Sequence, residues 1–338
     1  MTGRPGPGSG ILARTFHADD FRDTGMLVEA KQRQGVRISL AFPTLNEAAT
    51  IGKEVLVLRT ELMDRFLLLD EIAVIDSGST DRTRQVATRY GAAVYQSRSI
   101  LRRYGSHRGK GENLWKSLYA LTGDIIVWID ADISNIGPRF VSGLVGPLLA
   151  DPSISYVKAF YERPLRAGGE LAASGGGRVT EILVRPLFSL YYPELAGLVQ
   201  PLSGEYAGRR SLLEQLPFSV GYGVEVGHLI DISHGAGVGA IAQVNMDSRV
   251  HRNQSVHALG KMAFGILRTF SDRLEKYGEA RLPARTGTAH LAVAAAGGQH
   301  RIERTEIPCV ERPPIIEIEE YRKKFGRTRG SGLRPAVS

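Results

Sequence analysis

One cysteine in 338 residues, Cys309, excludes an intrachain disulfide and fits a reducing compartment. It is expected as a small core or interface residue. No apolar run approaches the ~20 residues that a spanning helix needs, so no membrane span is expected. Met1 to Gly10 is rich in Gly and Pro and lacks the apolar centre of a secretory signal, which points to a cytoplasmic protein. Two nucleotide fingerprints are also missing. Gly105-Ser106-His107-Arg108-Gly109-Lys110-Gly111 approximates a P-loop, but its glycine spacing is short and Gly111 stands where the metal-binding Ser or Thr belongs. Gly221-Tyr222-Gly223-Val224-Glu225-Val226-Gly227 is not G-x-G-x-x-G and lies far from the first strand. Neither an ATPase nor a dehydrogenase is supported. Internal repeats are absent.

Charge of one sign is scarce where it would matter for a polyanion. The formal net charge is +8, yet Arg322, Lys323, Lys324, Arg327, Arg329 and Arg334 supply +6 within residues 321–338, leaving +2 for everything before them. A basic end of this kind reads as a solvated, flexible tail, and no nucleic acid is expected as partner. A second basic run, Arg98, Arg102, Arg103, Arg108 and Lys110 with His107, lies within the folded region and suits a small anionic ligand.

What is present is alternation. After a loose segment, residues 1–35, the sequence predicts a strand over 36–42, a helix over 50–65, a strand over 71–75 and a helix over 81–90. A strand over 92–95, a helix over 111–121 and a strand over 125–129 follow. Strands and helices alternating at short spacing make an α/β fold with a mostly parallel sheet flanked by helices. A Gly-rich run over 168–177 interrupts the pattern, and a helix resumes over 179–190. Residues 224–232 fit helix or strand equally. Residues 254–277 form an amphipathic helix, with Val256, Leu259, Met262, Ala263, Ile266, Leu267, Phe270 and Leu274 on one face. We therefore divide the chain into a domain over 36–253, a C-terminal helical extension over 254–320 that could make a dimer contact, and a basic tail over 321–338.

Ligands gather at the carboxyl ends of strands in such sheets. The first strand ends in Pro43-Thr44-Leu45-Asn46-Glu47, and the second in Asp76-Ser77-Gly78-Ser79-Thr80-Asp81. The buried strand over 125–129 ends in Asp130-Ala131-Asp132. Each alone is ordinary loop and cap chemistry. Three successive strand ends offering amides, hydroxyls and carboxylates suit a nucleoside diphosphate with a divalent cation. Such a cation needs only one or two protein carboxylates when phosphate fills other positions. Lys110 is a fitting point charge for phosphate. Gly175-Gly176-Gly177-Arg178-Val179-Thr180 precedes a helix, where free backbone N–H groups, an Arg and a hydroxyl form a compact anion site or, on composition, a linker.

These motifs, together with Arg108-Gly109-Lys110-Gly111, Gly221-Tyr222-Gly223-Val224-Glu225 and Arg249-Val250-His251-Arg252-Asn253, resemble the retaining GT-A glycosyltransferases that use nucleotide sugars. The usual second turn of that family carries two acids; here Ser77 replaces the second. The resemblance implies a Rossmann-like GT-A fold and transfer of glucose from UDP-glucose to 3-phospho-D-glycerate, the first step of methylglucose lipopolysaccharide synthesis. It implies Mg²⁺ or Mn²⁺ held by Asp132 and His251. It places Pro43, Thr44, Leu45, Asn46, Glu47 and Ser77 around uridine, and Lys110, Asp130, Ala131 and Arg249 about the diphosphate. Tyr222, Gly223, Val224 and Glu225 fall against the donor glucose, with Glu225, Lys110 and Asp132 carrying catalysis. Gly177, Arg178, Val179, Thr180 and Asn253 bind the acceptor, and a homodimer is implied. Front-face attack is favoured over a covalent intermediate on Glu225. The rival readings are an inverting polyprenyl-phosphate glycosyltransferase, a mannosylglycerate-type transferase, and a nucleotide-sugar-binding protein without turnover.

Overall fold

The computed structural model describes residues 9–161, 163–167, 170–174, 177–249, 255–281, 287–296 and 299–326. Its centre is an eight-stranded sheet in the order Thr15–His17, Ile241–Asn245, Tyr156–Phe160, Tyr206–Arg209, Ile125–Trp128, Ile38–Thr44, Glu71–Asp76, Ala93–Gln96. Every pairing is parallel except those of Tyr206–Arg209, which runs antiparallel between Ile125–Trp128 and Tyr156–Phe160. The expected strands are all present, with ends shifted by at most two residues.

Successive side chains of a strand face opposite ways, and each face carries its own core. Ile126 and Trp128 join Trp115, Leu118, Tyr206 and Phe218 on one side. Ile125 and Val127 join Phe42, Val55, Phe140 and Leu144 on the other. The sheet is thus buried on both faces, which is why its strands read as continuous apolar runs.

Four readings of the sequence change. The segment before residue 36 is not loose: Thr15–His17 forms an edge strand, and Thr24–Gln34 is a helix started by the Asp23 carboxylate accepting from Met26 N–H. The ambiguous stretch is a helix, Val224–Gly235, with Val224, Val226, Leu229, Ile230 and Ile232 buried around it. The long helix, Val256–Lys276, spends Ile266, Phe270 and Leu274 on the chain's own core, while Val256 and Leu267 are exposed. Its apolar face is therefore not simply a dimer contact. The stretch over 321–325 is no flexible tail, since Glu319–Phe325 is helical and Tyr321 is buried, its hydroxyl donating to Glu214 at 2.7 Å. Burial of an aromatic ring outweighs the solvation of the flanking basic residues. Residues 327–338 lie outside the described residues.

Candidate active site

The strand ends predicted to form a site converge, and hydrogen bonds between loops hold them. Asn46 adopts a left-handed backbone (φ 61°). Its N–H donates to Ser79 Oγ at 2.9 Å and its side-chain oxygen accepts from Thr80 N–H at 2.9 Å. Glu47 N–H donates to Thr83 Oγ1, and Ala48 N–H to Asp81 Oδ2. Asp76, almost wholly buried, accepts from the N–H groups of Gly78 and Ser79 and so folds its own turn. Asn46 is thereby a brace of the second turn, and it does not line the cavity beside it.

That cavity has a volume of about 510 Å³. Pro43, Thr44, Leu45, Glu47 and Ser77 form one wall, Arg108, Lys110 and Asp130 its floor, and Tyr222 and Gly223 part of its far side. Lys110 opens the helix Lys110–Ala120, so its backbone and its ammonium both present positive charge to the cavity. The helix starts here because Gly109 and Gly111 let it approach Ser219 and Val220; a Cβ on Gly111 would stand 1.8 Å from the Ser219 carbonyl.

Lys110 Nζ lies 2.6 Å from Asp130 Oδ1 and 3.1 Å from Glu225 Oε1. Arg249 lies 2.7 Å from Asp132 Oδ1, 3.3 Å from Asp130 Oδ2 and 3.1 Å from Glu205 Oε1. Two cations and four carboxylates thus form one network. Burial would raise the Asp130 carboxyl, yet Lys110 and Arg249 outweigh it and hold it down to about 2. Burial would likewise lower the Lys110 ammonium, but Asp130 and Glu225 keep it charged well above its usual range. The fully buried Glu205 shifts the opposite way, raised by burial despite Arg249. Its other oxygen accepts from Tyr161 Oη at 2.8 Å. Gly204 has no room for a side chain: a Cβ would sit 1.8 Å from Asp130 Oδ2.

Of the remaining predicted residues, Ala131 and Val224 are buried beside the site. Gly177 and Val179 are half-buried, Arg178 is exposed and Thr180 is buried at the start of the helical stretch that follows. His251 and Asn253 lie outside the described residues. Among the described residues no group of three acidic, His or Cys side chains is arranged to hold a metal by itself. Asp132 is not itself a lining residue, but it shares Arg249 with Asp130, which is, and its side chain is about one-third exposed (35%), so it suits a cation shared with a diphosphate.

Sequence reasoning missed one whole side of the cavity. Thr269, Asp272 and Arg273 from the long helix line it, as do Ile307, Pro308, Cys309, Val310 and Glu311. Cys309 is exposed there and not in the core. Asn113 was missed too: its Nδ2 donates to Ser77 Oγ and to the Ile75 carbonyl, each at 2.8 Å, fixing the second strand end from the Lys110 helix. Its place three residues after Lys110, on the same helical face, was the signal available.

Residues 39–216 match the model of a family described as Glycosyl transferase family 2. The chain belongs to glycosyl transferase family 2. A protein from Petrotoga mobilis named glucosyl-3-phosphoglycerate synthase is 56% identical over 317 residues, covering 94% of this chain and 98% of the relative. The fold also matches two solved structures. Mannosyl-3-phosphoglycerate synthase from Rubrobacter xylanophilus superposes with a TM-score of 0.86 at 35% identity, covering 94% of this chain and 99% of that one. Glucosyl-3-phosphoglycerate synthase from Mycobacterium tuberculosis, in complex with Mn²⁺, UDP-glucose and phosphoglyceric acid, gives 0.75 at 40% identity, covering 88% and 95%. The GT-A architecture expected from the alternating strands is thus that of family 2 transferases.

Proposed function

We propose that this chain transfers glucose from UDP-glucose to the single free hydroxyl of 3-phospho-D-glycerate, with retention at the anomeric carbon. The observation that carries the reading is the meeting of Lys110 with both Asp130 and Glu225, beside Asp132, at the floor of a nucleoside-sized cavity. Uridine fits against Pro43, Thr44, Leu45, Glu47 and Ser77, with the diphosphate at Lys110 and the start of its helix. A bound Mg²⁺ or Mn²⁺ on Asp132, with His251 as second ligand, would neutralise charge developing on departing UDP. The sugar then lies toward Tyr222, Gly223 and Glu225. Glu225 is held by the Lys110 ammonium, which orients it toward sugar hydroxyls and blunts it as a nucleophile. This favours front-face attack: the C1–O bond to UDP breaks, a bond from C1 to the acceptor oxygen forms on the same face, and the acceptor proton passes to the leaving phosphate. Arg178, Thr180 and Asn253, with the backbone at Gly177 and Val179, are proposed to hold the acceptor.

Identity favours glucose: the glucosyl relative is 56% identical, whereas the mannosyl enzyme, although its structure superposes well, is 35% identical. A matrix of UDP-glucose and GDP-mannose against 3-phosphoglycerate and glycerate, with products weighed by mass spectrometry, tests this. Glucosyl-3-phosphoglycerate should dominate. Equal use of GDP-mannose would overturn the donor, equal use of glycerate the acceptor, and no product in any cell would leave a binding protein. No helix of the described residues is long and apolar enough to cross a membrane, which fits a diffusible acceptor better than a polyprenyl phosphate.

A homodimer forms part of the reading, through the hairpin of Ala289–Ala296 and Gln299–Glu306 and not through the long helix alone. Val293 stands opposite Ile302, with Leu291 two residues away on the same face, and all three are exposed. Light scattering on the parent and on a Val293→Glu variant checks it, a monomer being the expected form of the variant.

A further inference from the structure

The helix Ile51–Arg59 follows the Pro43–Glu47 loop and is absorbed by neither nucleotide nor sugar recognition. Its first turn nevertheless grips the loop that carries Asp132 at three points. Thr50 Oγ1 donates to the Ala131 carbonyl at 2.5 Å, Lys53 Nζ to the Ser134 carbonyl at 2.6 Å, and Glu54 Oε1 accepts from Ile133 N–H at 2.8 Å. The three contacts bracket Asp132 on both sides. Glu54 is fully buried, and its second oxygen has no hydrogen-bond partner within the described residues. A buried carboxyl half-satisfied in this way costs stability, so its place under the loop calls for a use. The same turn is tied to the uridine side, because the Glu47 carbonyl accepts from the N–H groups of Thr50 and Ile51. One helical turn therefore joins the two loops whose spacing decides where a nucleotide and its cation meet.

We propose that Glu54, with Thr50, is a positioning residue for the metal carboxylate: it sets the backbone of residues 131–134 so that Asp132 presents its oxygen at the cavity floor. This rests on the reading of Asp132 as a cation ligand. Glu54 touches no substrate and acts through the Ile133 amide. The bond is one side-chain oxygen accepting the Ile133 N–H, a role that a carboxamide oxygen also fills. Glutamine should then replace it, and an apolar residue should not.

The test is calorimetric titration of Mn²⁺ into the full chain saturated with UDP, for the parent, Glu54→Gln, Glu54→Leu, Thr50→Val and Asp132→Ala. Outer partners of metal ligands typically matter by about 10- to 100-fold in affinity. Glu54→Leu and Thr50→Val should weaken Mn²⁺ by about tenfold or more, with UDP binding in chelator unchanged, while Glu54→Gln stays near the parent. Thr50→Val carries the test if Glu54→Leu does not fold. Loss of melting temperature with an unchanged Mn²⁺ affinity would make the turn merely structural and overturn the proposal. Equal loss in Glu54→Gln and Glu54→Leu would also overturn it, since charge and not position would then be acting. Should Asp132→Ala bind Mn²⁺ as the parent does, the metal reading fails first and the proposal falls with it. If Asp132→Ala alone is weakened, only the proposal fails.

Discussion

The two sides of the cavity are built on different principles. The side made of strand ends is stitched by short-range hydrogen bonds between neighbouring loops, such as Asn46 to Ser79 and Glu47 to Thr83. The opposite side comes from residues 219–223, the helix Val256–Lys276 and the segment 307–311, clamped by ion pairs between residues far apart in the chain. Arg273 meets Asp231 at 2.8 Å and Glu311 at 2.5 Å, and Arg312 meets Glu112 at 2.7 Å. Buried pairs of this kind contribute little net stability, yet breaking one is costly. The first side should therefore yield rate effects with modest stability changes, and the second the reverse.

The sharpest way to break that contrast is at Asp132. If a cation there supplies several kcal/mol to the barrier, Asp132→Ala, or chelation of the parent, should slow turnover by about a thousandfold. The melting temperature should hold, because the residue Asp132 faces, Arg249, keeps Asp130 and Glu205 as partners. Near-normal turnover in both experiments would remove the metal from the mechanism.

On the other side the expectation inverts. Arg273 and Asp231 are each almost fully buried. Arg273→Leu should cost about 3 kcal/mol in chemical denaturation, the lower end for a broken buried pair. Asp231 retains Lys276 at 2.9 Å and the Tyr277 hydroxyl at 2.7 Å, which limits the loss. Rate should fall less than tenfold at a temperature where the variant is folded. A stable but inactive variant would show that this side takes part in chemistry.

The contrast also explains what could be read from sequence. Strand alternation and the Asp-x-Asp after Ile129 are local periodicities, and they located the sheet and the strand-end wall of the cavity. Arg273, Cys309 and Glu311 reach the cavity only through helix packing and a returning C-terminal segment, which no local period encodes. Glu205 and Glu54 were silent for a further reason: a lone acid in sequence reads as surface, and only the fold reveals it as buried. Tyr321 failed the other way, its buried ring hidden among basic neighbours.

His228 sharpens the comparison through pH. It lies on Val224–Gly235 between Phe218 and Tyr156, and neither ring nitrogen has a hydrogen-bond partner in the described residues. Burial, aided by Arg273 and Lys158, pulls it from 6.5 to about 3. Between those values the unfolded chain binds a proton that the folded chain does not, so stability falls as pH drops from 6.5 toward 3. At pH 5 the loss is about 2 kcal/mol. His228→Phe should abolish that part of the slope. The test compares pH 7 with pH 5 within each protein, so any constant packing cost of Phe cancels. An unchanged slope would mean that His228 titrates alike in both states.

The smallest effect expected is at Arg178, which belongs to neither side. It is exposed at the start of the helical stretch after the Gly-rich run, on a different element from Lys110 and Arg249. A small dianionic acceptor needs a cation of its own, and an Arg fork beside backbone N–H groups supplies one without bulk. A charge-assisted contact of about 1.5–3 kcal/mol implies at least a tenfold rise in the KM for 3-phosphoglycerate in Arg178→Ala. UDP binding should stay constant, because the nucleotide is proposed to rest on the strand ends. The preference for 3-phosphoglycerate over glycerate should narrow in the variant, since the lost cation served the charged groups. If instead UDP affinity fell as the acceptor KM rose, Arg178 would belong to the donor side, and the separation of donor from acceptor along the chain would be wrong.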